Sequence, residues 1–302
     1  MARATPDATH SGTVVASFGR RVIVEDQHGK THKCMLRGRA LRPVCADRVQ
    51  FSTNKQGNVL TAIDERTSTL TRPDRRGREE VLASNIDAIV VVTAPEPQPD
   101  PFITDRYLAA AEGMGVRAAV VFNKIDLATD VNPEWLGVFN SLGYDTMTAS
   151  AETGDGLEAL AAWCNQGTGI LVGQSGVGKS SLLNALVPDL ALRTGSVSEG
   201  SREGRHTTTN SALHALPGGG ALIDSPGVRD YAPAPIEAAD VARGFREIDA
   251  LRSDCRFHNC VHRNEPDCAV LNAVAEGTID QRRYDSYRRL LNLMKQLKPG
   301  HR

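Results

Sequence analysis

The chain has 302 residues, 40% apolar and 24% charged, with a net charge of −1, the composition of a globular protein able to bury a core, and its length suggests about two domains. No apolar run reaches the roughly 18 residues of a membrane span, and residues 1–12 are polar without a secretory apolar stretch, so a cytoplasmic protein off the membrane is expected. The near-zero net charge hides an asymmetry: residues 1–83 carry 15 Lys+Arg against 9 Asp+Glu, residues 84–249 carry 10 against 21, and residues 250–302 carry 10 against 6. Two basic ends around an acidic middle point to a polyanionic partner, with ordinary surface solvation as the alternative.

From the N-terminus, five short β-rich runs are predicted at 12–18, 21–25, 31–36, 48–52 and 59–63, with turns at Gly29-Lys30 and around Gly57-Asn58. Five strands in so short a stretch fit a small closed barrel, an OB-fold or an SH3-like barrel. We take residues 1–70 as the barrel and 71–83 as a linker, because Arg72-Pro-Asp-Arg-Arg-Gly-Arg78 is charged and loop-like. Beyond it the texture changes. Continuous apolar runs at 86–93, 118–122, 169–172 and 221–223 alternate with helical patterns at 105–114, 157–164 and 179–186, which predicts βα units around a buried parallel sheet over 84–235. Residues 236–302 are taken as a small C-terminal domain that reads as helical from Asp240 to Lys298 apart from a Cys/His cluster, and the last helix carries Arg282, Arg283, Arg288 and Arg289.

The motifs also follow chain order. Asn123-Lys124-Ile125-Asp126 closes the second apolar run and matches N-K-x-D, the guanine reader of GTPases. In that element the Asp accepts from guanine N1–H and N2–H₂, a donor pair that adenine lacks, while the Asn bonds the N7/O6 edge and the Lys stem covers the base. Ser150-Ala151 resembles the supporting S-A element. Gly173-Gln174-Ser175-Gly176-Val177-Gly178-Lys179-Ser180 then matches G-x-x-x-x-G-K-[ST] between a strand and a helix, followed by Ser181. Backbone N–H groups there can curl around phosphate, with Lys179 on the β- and γ-phosphates and the Ser180 hydroxyl on Mg²⁺. Residues 192–205 are rich in Gly, Ser, Arg and Glu and read as a mobile switch loop ending in Gly204-Arg205-His206-Thr207-Thr208-Thr209, where Thr208 is the expected Mg²⁺ ligand. Asp224-Ser-Pro-Gly227 matches D-x-x-G, in which Asp holds Mg²⁺ through water and the Gly N–H senses the γ-phosphate. Val228 stands where Ras-like enzymes place a water-orienting Gln. Either His206 substitutes for it or a partner supplies the group.

The base reader thus precedes the phosphate loop, the reverse of ordinary GTPases, so the G domain is expected to be circularly permuted. Of six cysteines, Cys34, Cys45 and Cys164 lie in apolar surroundings and read as buried thiols. Cys255-x₄-Cys260-x-His262-x₅-Cys268 offers a closed tetrahedral set for one structural zinc. Redox-active cysteines are the alternative, although no C-x-x-C is present.

Together these segments resemble the RsgA (YjeQ/YloQ) family of small-ribosomal-subunit biogenesis GTPases over essentially the whole chain. The resemblance rests on the barrel, N-K-x-D, G-x-S-G-V-G-K-S-S, G-R-H-T-T-T, D-S-P-G and the C-x₄-C-x-H-x₅-C segment with Glu265-Pro266-x-Cys268. It implies a monomeric enzyme that binds GTP and GDP with Mg²⁺ and contacts the 30S subunit and its 16S rRNA late in assembly. It also implies faster GTP hydrolysis on the particle, followed by release. Two departures are visible: Asp267 stands where the family usually has Gly, and His258-Asn259 replaces a more usual charged pair. A nucleotide-gated RNA-binding module, or a permuted GTPase acting on another target, would share these motifs.

Overall fold

The computed structural model describes residues 8–38, 40–55, 57–74, 77–187, 211–224 and 233–297. Five strands open the chain: β1 (Ala8–Phe18), β2 (Arg21–Asp26), β3 (Thr31–Leu36), β4 (Arg48–Asn54) and β5 (Gly57–Ile63). Alternation builds them, since Val22 and Val24 on β2 point inward between outward-facing residues. β1 pairs antiparallel with both β2 and β4, and β3 runs parallel to β5, so the order β1-β2-β3-β5-β4 closes on itself. Val14, Val22, Val24, Cys34, Val49, Phe51 and Leu60 fill the interior. This is a closed, OB-like barrel.

The stretch read as a loop-like linker is instead a hairpin, β6 (Thr69–Pro73) with β7 (Glu79–Ser84). Asp74 explains the difference. Its backbone carbonyl accepts from Gly77 N–H and its carboxylate from the amide and guanidinium of Arg78, so the charged residues make a tight turn. The hairpin also anchors the barrel. Asp47, wholly buried, accepts from Arg66 Nε and Nη2, Ser84 Oγ and the Val44 amide at 2.6–2.8 Å.

The central sheet has the order β10-β9-β8-β11-β13-β12, formed by β8 (Ala88–Thr93), β9 (Arg117–Phe122), β10 (Asp145–Thr148), β11 (Thr168–Val172), β12 (Ala212–Ala215) and β13 (Ala221–Asp224). All pairings except β12–β13 are parallel. β8 is buried at every position because helices cover both faces. α1 (Pro101–Met114) and α2 (Glu134–Ser141) bring Tyr107, Leu108, Leu136 and Phe139 to one face. α3 (Leu157–Cys164) and α4 (Lys179–Leu186) bring Leu160, Cys164, Leu182 and Leu183 to the other. Each fully buried side chain of this size contributes about 1.5–3 kcal/mol. The barrel joins this sheet where β1 meets β12, at Ala16 opposite Ala212.

α5 (Ala238–Arg243), α6 (Arg246–Leu251), α7 (Ala269–Ala275) and α8 (Gln281–Leu297) surround a separate core of Phe245, Ile248, Tyr287, Leu290 and Met294. Of the four arginines of the last helix, two turn inward. Arg283 is 1% exposed and bridges Asp105 of α1 and Glu247 of α6, and Arg282 pairs with the same Asp105. These two arginines bind helix to helix. Arg288 and Arg289 remain at the surface, over the rings of Tyr284 and Phe102. Among the described residues no helix is long and apolar enough to cross a membrane.

Candidate nucleotide and metal sites

Every parallel strand of the central sheet delivers its carboxyl end to one edge, where open α/β sheets bind ligands. β11 runs into Gly173, and α4 starts at Lys179 with Gly178 as its cap. Gly173, Gly176 and Gly178 have φ of +132°, +85° and +93°, left-handed values that favour glycine. A Cβ on Gly173 would strike the Val92 carbonyl, and one on Gly178 would strike Asn123 Nδ2. No side chain caps α4, which leaves its first N–H groups facing the loop as an anion cradle. Lys179 Nζ lies across the loop, donating to the carbonyls of Gly173 at 2.8 Å and Gln174 at 2.6 Å. Ser180 and Ser181 follow on the first turn of α4, both exposed.

β9 ends in Phe122, and Lys124 turns the chain with φ +61° into a short 3₁₀ turn, Ile125–Leu127. Asn123 is almost fully buried and ties the motifs together. Its Nδ2 donates to the Val177 carbonyl at 2.9 Å, and its Oδ1 accepts from the Ala151 amide at 3.3 Å. Ser150 Oγ donates to Asp126 Oδ1 at 2.5 Å and accepts from the amides of Glu152 and Thr153. The Asp126 carboxylate is thereby oriented at an exposed rim beside the loop. Motifs 50 residues apart in sequence form one continuous surface.

Asp224 ends β13, within electrostatic reach of Lys179 and His214. Burial raises its carboxyl, and the electrostatic effects of His214 and Lys179 act against the rise. A half-buried carboxylate and the Ser180 hydroxyl are hard oxygen donors, the set that suits Mg²⁺ with a nucleotide. Gly227, Val228, His206 and Thr208 lie outside the described residues.

The Cys/His cluster closes as its spacing predicts. The ligand atoms of Cys255, Cys260, His262 and Cys268 all lie within 4.8 Å of one another. A regular tetrahedron at ordinary zinc distances has S···S edges of about 3.8 Å and S···N edges of about 3.6 Å. Cys255 Sγ lies 3.8 Å from Cys268 Sγ, and these sulfurs lie 3.5 and 3.4 Å from His262 Nδ1. The donors therefore fit one zinc ion, with Nδ1 as the imidazole ligand. Burial lowers the His262 imidazole and pushes the Cys260 thiol up to about 12; a bound dication favours the thiolates.

Glu265 organises this loop, a role that residue type alone does not reveal. Its carboxylate accepts from the amides of Val261, Arg263 and Asn264 at 3.1, 2.7 and 3.1 Å. Burial works to raise its carboxyl, but these donors outweigh it and hold the group at about 2. Asp267 has φ +55°, a left-handed value that favours glycine. Aspartate is one of the few side chains that visit this region, and it pairs with Arg256 at 2.9 Å. Cys34, Cys45 and Cys164 are buried thiols, as expected, and burial raises each of them.

Residues 63–233 match the model of the RsgA GTPase family. The chain is 43% identical over 290 residues to the small ribosomal subunit biogenesis GTPase RsgA of Pseudomonas fluorescens, covering 93% of this chain and 84% of that one. It is 43% identical over 289 residues to the same-named protein of Chromohalobacter salexigens, covering 93% and 85%. Among solved structures, YjeQ from Thermotoga maritima superposes with a TM-score of 0.76 at 30% identity, covering 98% of this chain and all of that one. YloQ, described as a circularly permuted GTPase, superposes with a TM-score of 0.73 at 28% identity over 99% of this chain and all of that one. With its N-K-x-D turn upstream of its G-x-x-x-x-G-K-S loop, this chain belongs to the RsgA GTPase family.

Proposed function

We propose that this GTPase binds the 30S subunit, contacts its 16S rRNA and hydrolyses GTP late in small-subunit assembly. The observation that carries the nucleotide part is the Asn123–Val177 hydrogen bond, which fixes the guanine-reading turn against the phosphate loop. Asp126 reads the two guanine donors, Ser150 and Ala151 support it, and the amides of 173–178 with Lys179 hold the phosphates. Ser180, Thr208 and Asp224 hold Mg²⁺, which neutralises charge on the phosphates when bound. Gly227 senses the γ-phosphate, and His206 places the attacking water. One zinc ion on Cys255, Cys260, His262 and Cys268 is structural, because protein atoms fill all four positions.

The ribosomal part rests on the names of the relatives and on the basic barrel segment. A GTPase assay with purified 30S, 50S and 70S particles tests it. Turnover should rise with 30S alone, and binding should weaken steeply with salt as phosphate contacts are lost. Equal stimulation by 50S particles would refute the small-subunit assignment. His206→Ala should cut the stimulated rate at unchanged nucleotide affinity; full stimulation in that variant would remove His206 from the reaction.

A further inference from the structure

Four prolines occupy alternate positions from the end of β8 to the first residue of α1: Pro95, Pro97, Pro99 and Pro101. Proline fixes φ and lacks an amide hydrogen, so such a connector is stiff. Its remaining polar groups reach sideways to both nucleotide motifs. The Glu96 carbonyl accepts from Lys124 Nζ at 2.9 Å. The Gln98 carbonyl accepts from Gln174 Nε2 at 3.3 Å, and the Asp100 amide donates to Gln174 Oε1 at 2.9 Å. Gln174 fills a position at which G-x-x-x-x-G-K-S demands no particular side chain, yet both ends of its amide are engaged by this connector.

Asp100 is also the N-cap of α1, accepting from the Phe102 amide at 2.9 Å. Farther along α1, buried Asp105 holds Arg282 and Arg283 of α8 at 2.8 and 2.7 Å. α8 in turn donates the Tyr284 and Tyr287 hydroxyls to the carbonyls of His262 and Val261 at 2.8 and 2.9 Å. Stiff elements joined by short hydrogen bonds thus run from the phosphate loop to the Cys/His loop.

We propose that Gln174 is a positioning residue: it locks the phosphate loop to the start of α1, so that the set of this loop and the seating of the zinc-bearing unit change together. The proposal rests on the nucleotide reading of residues 173–180. If nucleotide stabilises one setting of the loop, a correctly seated C-terminal unit must strengthen nucleotide binding by the same factor. The link needs no contact between the nucleotide and α8, only two elements that both ends bias.

The test is hydrogen–deuterium exchange on the full, zinc-loaded chain with and without GDP. Each variant is first titrated with a fluorescent GDP analogue so that GDP can be used at saturation. In the wild type, GDP should slow exchange in residues 173–180 and also in α8 and residues 255–268. The distal effect should be about fivefold or more, the lower end of usual coupling. In Gln174→Ala the slowing should persist in 173–180 and fall to about onefold in α8. Pro99→Gly, which softens the connector without altering a nucleotide motif, should reduce the distal effect while leaving the local one. Equal slowing of α8 in wild type and Gln174→Ala would overturn the proposal, as would wild-type slowing confined to 173–180. Absence of GDP binding in the wild type would overturn the nucleotide reading itself, and the titration reports that separately.

Discussion

Replacing Asp105 by Asn removes one negative charge from a point where two arginines converge. Arg283 is 1% exposed, with Glu247 at 2.7 and 3.0 Å as its other partner, while Arg282 is 29% exposed and turns partly to water. Removing one partner of a buried ion pair costs about 3–5 kcal/mol. An amide keeps the shape and one acceptor oxygen, which favours the lower figure, about 3 kcal/mol or roughly a hundredfold in the unfolding equilibrium. Urea unfolding followed by tryptophan fluorescence reads this locally. Trp135 sits edge-on to Phe139 at 6.2 Å, and Arg282 lies over the same Phe139 ring. Glu80→Gln, which breaks the exposed pair with Arg72, serves as the control and should cost less than about 1 kcal/mol. An Asp105→Asn transition no lower than that of the control would refute the idea that this charge cluster seats the C-terminal unit.

Asp126→Asn should trade guanine for xanthine, since an amide complements the xanthine O2; unchanged GTP and XTP affinities would show that Asp126 does not read the base. Cys260→Ser should release zinc and loosen 252–297 while leaving nucleotide binding largely intact, and metal analysis finding the variant fully loaded would contradict this. In the barrel, the His32 hydrogen bond at 2.7 Å, assisted by the amides of His28 and Lys30, lowers Asp26 from 3.8 to about 2. The folded-state value lies below the unfolded one, so this contribution is complete above about pH 4 and disappears as pH falls through about 2. Carboxyl-carbon NMR should show the Asp26 midpoint moving up toward 3.8 in His32→Gln; an unmoved midpoint would refute the assignment to His32.

What could be read from sequence followed the strength of local patterns. The barrel strands were visible because a half-buried strand must alternate and because turns such as Gly29, with φ +75°, need glycine. The inner strands were visible because burial on both faces demands unbroken apolar runs such as 88–93. β10 and β12 were missed: each has four residues, and Asp145–Thr148 and Ala212–Ala215 carry no marked apolar period. The N-K-x-D turn, the glycine-rich loop before α4 and the Cys/His cluster stood out in the sequence because such patterns restrict residue type at fixed spacing. The burial of Arg283 was not legible, because periodicity does not show which basic residue of an amphipathic helix turns inward. That depends on Asp105, which no local signal connects to α8. Asn123 was assigned to the base alone, whereas its contacts with Val177 and Ala151 arise only once three strand ends meet.

The meeting of β1 with β12 has a consequence for the solubility of the parts. Among the described residues β12 is the last strand of the central sheet on that side, and an uncovered last strand offers bare amides and carbonyls to any other extended chain. Here the barrel stands against it: Ala16 pairs with Ala212, and the Cys45 thiol donates to the Ser211 carbonyl at 3.0 Å. The barrel thereby shields the G domain from edge-to-edge association. A fragment cut after the hairpin would lose that shield and expose a template for self-assembly, however well its own core packs.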